Sequence, residues 1–136
     1  MMADRLFFQK TFHTLETALQ IMQRRHAVVS SNIANIETPG YRAKDIDFKA
    51  ALAGASGAGR GFKLVRTDAQ HIGREMNSAS QIEPFADPGE WNGFNWVNVD
   101  KEMTKLTENN LMYRAGVEAL LRKLAILKTV IQEGGR

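Results

Sequence analysis

Apolar residues recur through the first third of the chain at steps alternating between four and three: Phe8, Phe12, Leu15, Leu19, Met22, His26, Val29, Ile33 and Ile36. This repeat places one side chain per half-heptad on a single line of a helix, the pattern of a coiled-coil seam. No Pro or Gly stands between Met1 and Thr38. The spacing therefore predicts one helix from about Arg5 to Ile36, roughly 48 Å long at 1.5 Å per residue, more than the diameter of a small domain. The alternation returns at the other end as Val99, Met103, Leu106, Asn110, Tyr113, Val117, Leu120, Leu124, Leu127 and Ile131, closed by Gly134 and Gly135. Asp100 and Glu102 occupy the expected first turn, where the helix dipole favours negative charge, and Asp100 is the candidate N-cap. Gly116 costs about 1 kcal/mol against Ala inside such a helix. Simple tolerance is the favoured reading of it, ahead of close approach by a neighbouring backbone.

Between the helices, Thr38-Pro39-Gly40 is a stop and a turn: Pro39 disfavours helical geometry at Thr38, and Gly40 permits a positive φ. Ala53 to Gly61 is nearly free of side chains to bury and reads as a flexible, disordered linker. Phe62 to Thr67 has the composition of a short strand, and Pro84 to Trp96 reads as a turn-rich aromatic loop. The fold class expected is mainly α. Residues 1–40 form the N-terminal helix with its Asn/Thr-Pro-Gly segment, residues 41–97 an irregular, partly disordered middle with room for a short strand or hairpin, and residues 98–136 the C-terminal helix. The two helices pair in a coiled-coil-like bundle as one unit, with no compact domain between them.

Two crossed helices bury each other's seams only in part, while ordering their backbones carries a large entropy cost. Apolar residues off the seams, namely Val28, Leu111, Ala115, Ala119, Leu121 and Ala125, point to further partners, so assembly is expected. His26 and Asn110 interrupt the seams with polar groups, a device that fixes register and partner number, although chance serves equally well for His26.

Several function classes are disfavoured by what the chain contains. Its 18 basic and 15 acidic residues are dispersed, with Arg24-Arg25 and Arg122-Lys123 as isolated pairs, so no nucleic-acid face is expected. Zero cysteines remove disulfides and thiolate chemistry. His13, His26 and His71 do not cluster, and His71 with Glu75 lacks the further ligands that a metal requires. Asp45 with Asp47 and Asp100 with Glu102 are two apart and do not share a helix face. The Gly-rich stretch from Gly54 to Gly61 lacks a P-loop ending. No catalytic residue, cofactor, metal or small-molecule substrate is expected. No segment approaches the roughly 20 apolar residues that cross a bilayer. No apolar run of signal-peptide length opens the sequence, so no cleaved signal is expected. Phe7, Phe8 and Phe12 would suit a membrane-surface helix, yet the opposite face mixes Glu16, Thr17, Gln20, Gln23 and Arg24 instead of a basic stripe. A generic coiled-coil adaptor is the better alternative.

One segment narrows the field: Ser30-Ser31-Asn32-Ile33-Ala34-Asn35-Ile36-Glu37-Thr38-Pro39-Gly40-Tyr41. It resembles the amino-terminal signature of bacterial flagellar basal-body rod and hook proteins, with an Asn-x-x-Asn pair and a Thr-Pro-Gly-Tyr turn closing the first helix. Asp45-Ile46-Asp47-Phe48-Lys49, Val97 to Met103, Glu108-Asn109-Asn110 and Tyr113-Arg114-Ala115 look like the proximal-rod members of that family, the FlgB type. Asn98 and Gly116 depart from the family pattern, and residues 53 to 96 carry little of it. The resemblance implies a non-enzymatic subunit exported unfolded by the flagellar type III apparatus and stacked through its terminal helices into the periplasmic drive-shaft, a shaft that transmits torque. It implies as partners other rod subunits, further copies or homologues, and the basal-body base around the export gate and membrane ring. The residues expected to carry assembly are Asn32, Ile33, Asn35, Thr38, Pro39, Gly40 and Tyr41 of the signature. The seam positions are Leu15, Leu19, Met22, Val29, Met103, Leu106, Tyr113, Val117, Leu120, Leu124 and Leu127. Asn32 and Asn35 are expected to bond carbonyls at the helix end or amides of a neighbouring subunit.

Overall fold

A computed structural model describes residues 2–55 and 82–134. Two long helices dominate it, α1 (Met2–Ala34, 33 residues) and α3 (Val99–Glu133, 35 residues). Both amphipathic repeats therefore fold as their periodicity requires, each about 50 Å long. Between them lie β1 (Lys44–Asp45), the short helix α2 (Phe48–Ala55) and β2 (Phe85–Ala86). The strands pair antiparallel, Lys44 opposite Ala86 and Asp45 opposite Phe85.

Four contacts set the direction of the helix pair. Asn32 meets Glu102, Met22 meets Asn109, Leu19 lies against Gly116, and the Lys123 ammonium sits 5.9 Å from the Phe12 ring centroid. Residue numbers fall on one helix as they rise on the other, so α1 and α3 run antiparallel as a hairpin.

The first helix buries a second side that the heptad reading did not assign. Ile21 forms a small core with Ile46 and Ala51, and Val28, Phe48, Leu52 and Ile82 pack around it. Val28, expected to await an outside partner, is thus covered from within the chain. The cause is α2, whose Phe48, Ala51 and Leu52 fall at i, i+3 and i+4 and present one apolar edge to α1. Middle residues expected to hold no compact structure thereby build this core. Ala53 to Ala55, read as linker, complete the last turn of α2. The remainder of that linker, the strand expected over Phe62 to Thr67, and His71 with Glu75 lie outside the described residues, as does the side chain of Phe8.

Helix ends also differ from expectation. The N-cap of α3 is Asn98, not Asp100: its Oδ1 accepts from the Lys101 amide at 3.1 Å. Asp100 and Glu102 then fall in the first turn, where their charge suits the dipole. The first helix ends at Ala34, two residues short of Ile36. Asn35 accounts for this, since its side-chain amide donates to the Ser31 carbonyl at 2.8 Å and its backbone amide is shared between the Ser31 and Asn32 carbonyls. Tight turns follow to Thr38 and Tyr41, and Gly40 takes φ 71°, a left-handed conformation in which a Cβ is strained.

Candidate assembly interface

The signature at the end of α1 organises the junction where α1, β1, the segment after β2 and α3 meet. Asn32 is fully buried and uses its whole amide. Its Nδ2 donates to the Lys44 carbonyl and to Glu102 Oε2, both at 2.7 Å, while Oδ1 accepts from the Lys44 amide at 3.0 Å and the Tyr41 hydroxyl at 3.3 Å. One side chain thus ties α1 to β1 and α3. Asn35 instead serves the local turn, accepting the Thr38 hydroxyl at 3.1 Å. Of the two asparagines, Asn32 makes the long-range contacts within the chain. Ile33 is half-buried, Tyr41 likewise, and Thr38, Pro39 and Gly40 are exposed on the outside of the turn.

A residue that the sequence did not single out completes the helix end. Asn95 is fully buried, donates to the Ile36 carbonyl, and accepts from the Val97 amide at 3.0 Å and Asn92 Nδ2 at 2.9 Å. Asn92-Gly93 supplies the turn that aims it, with Gly93 at φ 95° and Asn92 Oδ1 accepting from the amides of Phe94 and Asn95. Trp96 then donates its amide to the Tyr41 carbonyl at 3.0 Å and stacks beneath the Arg42 guanidinium, 4.4 Å from its ring centroid.

Beside Asn32 lies a network of three carboxylates and three cations, nearly buried except for Lys101, which is exposed at its edge. Arg25 grips Asp45 with two bonds, Nε to Oδ1 at 2.8 Å and Nη2 to Oδ2 at 3.0 Å. Lys105 reaches Asp87 at 2.6 Å, Glu102 at 2.8 Å and Asp45 at 3.4 Å, and Lys101 meets Asp87 at 2.8 Å. Desolvation works against the charge on Asp45, but the Arg25 and Ile46 hydrogen bonds and the nearby cations outweigh it and hold the carboxyl below its ordinary value. Asp87 is held low in the same way, against its own desolvation, by Lys101 and Lys105. Lys105 is desolvated as well, yet its three acidic neighbours keep it above the ordinary lysine value, and Arg25 is raised, chiefly by its bond to Asp45. Ion pairs removed from water add little net stability, but each partner left alone is costly, so such a network specifies one arrangement of α1, β1, the segment after β2, and α3.

Polar residues at the junction displace the expected seam of α3. Its buried positions are Glu102, Lys105 and Asn109, and Gly116 continues that line against Leu19. A Cβ at Gly116 would lie 3.0 Å from Leu19 Cδ2, so the glycine does mark a close approach, by a side chain and not a backbone. On α1, Met22 and Val29 are buried and Leu15 and Leu19 half-buried; on α3, Leu106, Val117, Leu120 and Leu127 are half-buried. Met103, Tyr113 and Leu124 are 49%, 39% and 45% exposed, and His26 and Asn110 are exposed too, so neither polar residue interrupts a buried seam within the chain. Leu111, Leu121, Ile126, Val130 and Ile131 are more than half exposed. The chain is thus closed at the junction and apolar on its outside along α3.

Among the described residues no group of three or more His, Asp, Glu or Cys is placed to hold a metal ion, and no helix is long and apolar enough to cross a membrane.

Comparison with known proteins agrees with the signature. Residues 12–42 match the family described as flagella basal body rod protein. The chain is 36% identical to the flagellar basal body rod protein FlgB of Bacillus subtilis (strain 168), over 93% of this chain and 97% of that one. It is 33% identical to the FlgB of Salmonella typhimurium, over 98% and 99%, and 32% identical to that of Escherichia coli (strain K12), over 88% and 91%. The chain belongs to the flagellar basal-body rod protein family. Within the family match fall Asn32, Asn35 and the Thr38-Pro39-Gly40-Tyr41 turn, together with the Arg25 that anchors the charge network.

Proposed function

We propose that this chain is a structural subunit of the flagellar basal-body rod, of the proximal FlgB type, and that its two terminal helices join neighbouring subunits in the periplasmic shaft that transmits torque. The observation that carries the reading is the division of the hairpin. One end is tied by the Asn32 and Lys105 contacts, whereas Leu121, Leu124, Ile126, Val130 and Ile131 of α3 are 45–71% exposed. Apolar surface of this extent on one helix suits burial against other helices. Axially aligned, interlocked helices resist shear, which is what a rotating shaft requires. The partners in this reading are other rod subunits, copies or homologues of this chain, and the basal-body base around the export gate and membrane ring. Export through the flagellar type III apparatus delivers it there.

The test is to replace the resident gene of a flagellated host with an epitope-tagged copy of this chain and to purify its basal bodies. The tagged chain is expected in the rod fraction, and Leu121→Asp with Ile126→Asp is expected to abolish incorporation while leaving the urea midpoint of the free protein unchanged. Absence of the tagged chain from intact rods overturns the proposal.

A further inference from the structure

Among the described residues, one buried side-chain polar atom has no partner: Oδ1 of Asn109. The residue is 1% exposed, and its Nδ2 donates to the Met22 carbonyl at 2.9 Å, which fixes the amide orientation and leaves the acceptor idle. Buried acceptors are nearly always satisfied, and an idle one calls for a donor from elsewhere. Asn109 lines a cavity of about 230 Å³ between α1 and α3, together with Met22, Gln23, His26, Asn110 and Tyr113. That is far more than the roughly 30 Å³ share of one water. Gln23, His26, Asn110 and Tyr113 are exposed, so the rim is free to part.

We infer that this cavity is a socket for one hydrogen-bond-donating side chain carried by an amphipathic helix of a neighbouring rod subunit. The inference rests on the rod reading and specifies one contact within it. Three features choose the occupant. The idle atom is an acceptor, which selects an amide, hydroxyl or basic side chain and repels a carboxylate. Asn110 and Tyr113 lie on the heptad line that also carries the exposed Met103 and Leu124, so the socket is continuous with the apolar stripe. A hole formed by a few residues on such a stripe is what a knob from another helix enters.

Two variants test this, each assayed as the free full-length chain by urea denaturation and in the host by incorporation into basal bodies. Asn109→Leu keeps the shape and removes the acceptor; it loses the bond to Met22 but also the idle buried oxygen, so its urea midpoint is expected to stay close to that of the unsubstituted chain. A donor then meets no acceptor, and incorporation is expected to fall about 5- to 150-fold. Asn110→Trp, at an exposed position, fills the socket and is expected to block incorporation without disturbing the fold. Normal incorporation of Asn109→Leu overturns the proposal and leaves water as the partner of Oδ1. Should Asn109→Leu fail to fold, Asn110→Trp decides alone, and its normal incorporation overturns the proposal. Absence of the unsubstituted chain from basal bodies overturns the rod reading and this inference together, whereas its presence beside two normally incorporating variants overturns this inference only. Since the chain has no cysteine, Asn110→Cys carrying a photo-cross-linker identifies the neighbour: a helix with a donor side chain within one turn supports the socket, and any other segment refutes it.

Discussion

Replacing Asn32 by Ala removes four hydrogen bonds at once and leaves their partners in place. Glu102 is 1% exposed and loses a donor 2.7 Å from its carboxylate; the Lys44 amide and carbonyl lose theirs at 3.0 and 2.7 Å. A bond to a charged group contributes about 1.5–3 kcal/mol and each neutral one about 0.5–1.5, so the three together amount to roughly 2.5–6 kcal/mol. The Tyr41 hydroxyl, at 3.3 Å and half-buried, adds little. Against the about 5–15 kcal/mol by which domains are stable, that is a large share. With a urea slope of about 2 kcal/mol per molar, the midpoint is expected to fall by about 1–3 M. Helix content by circular dichroism and the fluorescence of Trp91 and Trp96 should report the transition, the latter because Trp96 is bonded to Tyr41 across the junction. Asn32→Asp, which puts a second carboxylate against Glu102, should be no better than Ala. A loss below about 1 kcal/mol for Asn32→Ala would refute the view that this side chain holds the junction together.

Acid should loosen the same junction. Asp45 and Asp87 have folded-state pKa values below their ordinary 3.8, so the stability that they contribute is present above that value and is lost as pH falls through the lower folded values. Urea midpoints measured from pH 5 to pH 2 should fall, and Asp45→Asn should flatten that dependence; an unchanged slope in the variant would contradict the assignment. Gly116→Ala should be nearly neutral in thermal denaturation, because about 1 kcal/mol of helix propensity offsets a contact with the movable end of Leu19. Gly116→Leu should wedge the helices apart at a cost of about 1–3 kcal/mol, and an unshifted transition would place Leu19 elsewhere.

Both long helices were legible because the heptad spacing is sustained along each of them, with His26 and Asn110 as its polar positions. The inward line of α3 was not. Heptad logic turns the apolar residues inward, whereas here Glu102, Lys105 and Asn109 face α1 because Asn32, Asp45, Asp87 and the Met22 carbonyl meet them there. Those partners come from distant parts of the chain, and no local pattern announces the pairing. Asn32 was visible only as part of a signature string, and its choice of intramolecular partners followed from β1 returning beside it. Asn95 had a faint signal in the Asn92-Gly93 turn just ahead of it, whereas Arg25 and Lys105 look like any surface cation until a carboxylate is brought to each. Acidic residues suit both the cap and the first turn, so the sequence alone points to Asp100, and only the geometry of Asn98 separates these roles.

Amide hydrogen exchange of residues 120–133, compared between the free chain and isolated basal bodies, tests the central claim most directly. In the free chain this stretch of α3 has Leu120, Lys123 and Leu127 half-buried and its other large side chains exposed, so its amides should exchange by local opening, while those of Asn32 and Lys44 are protected. In the rod the same stretch should exchange at least about 100-fold more slowly, as its apolar surface becomes covered. Equal protection of residues 120–133 in both states would contradict the account.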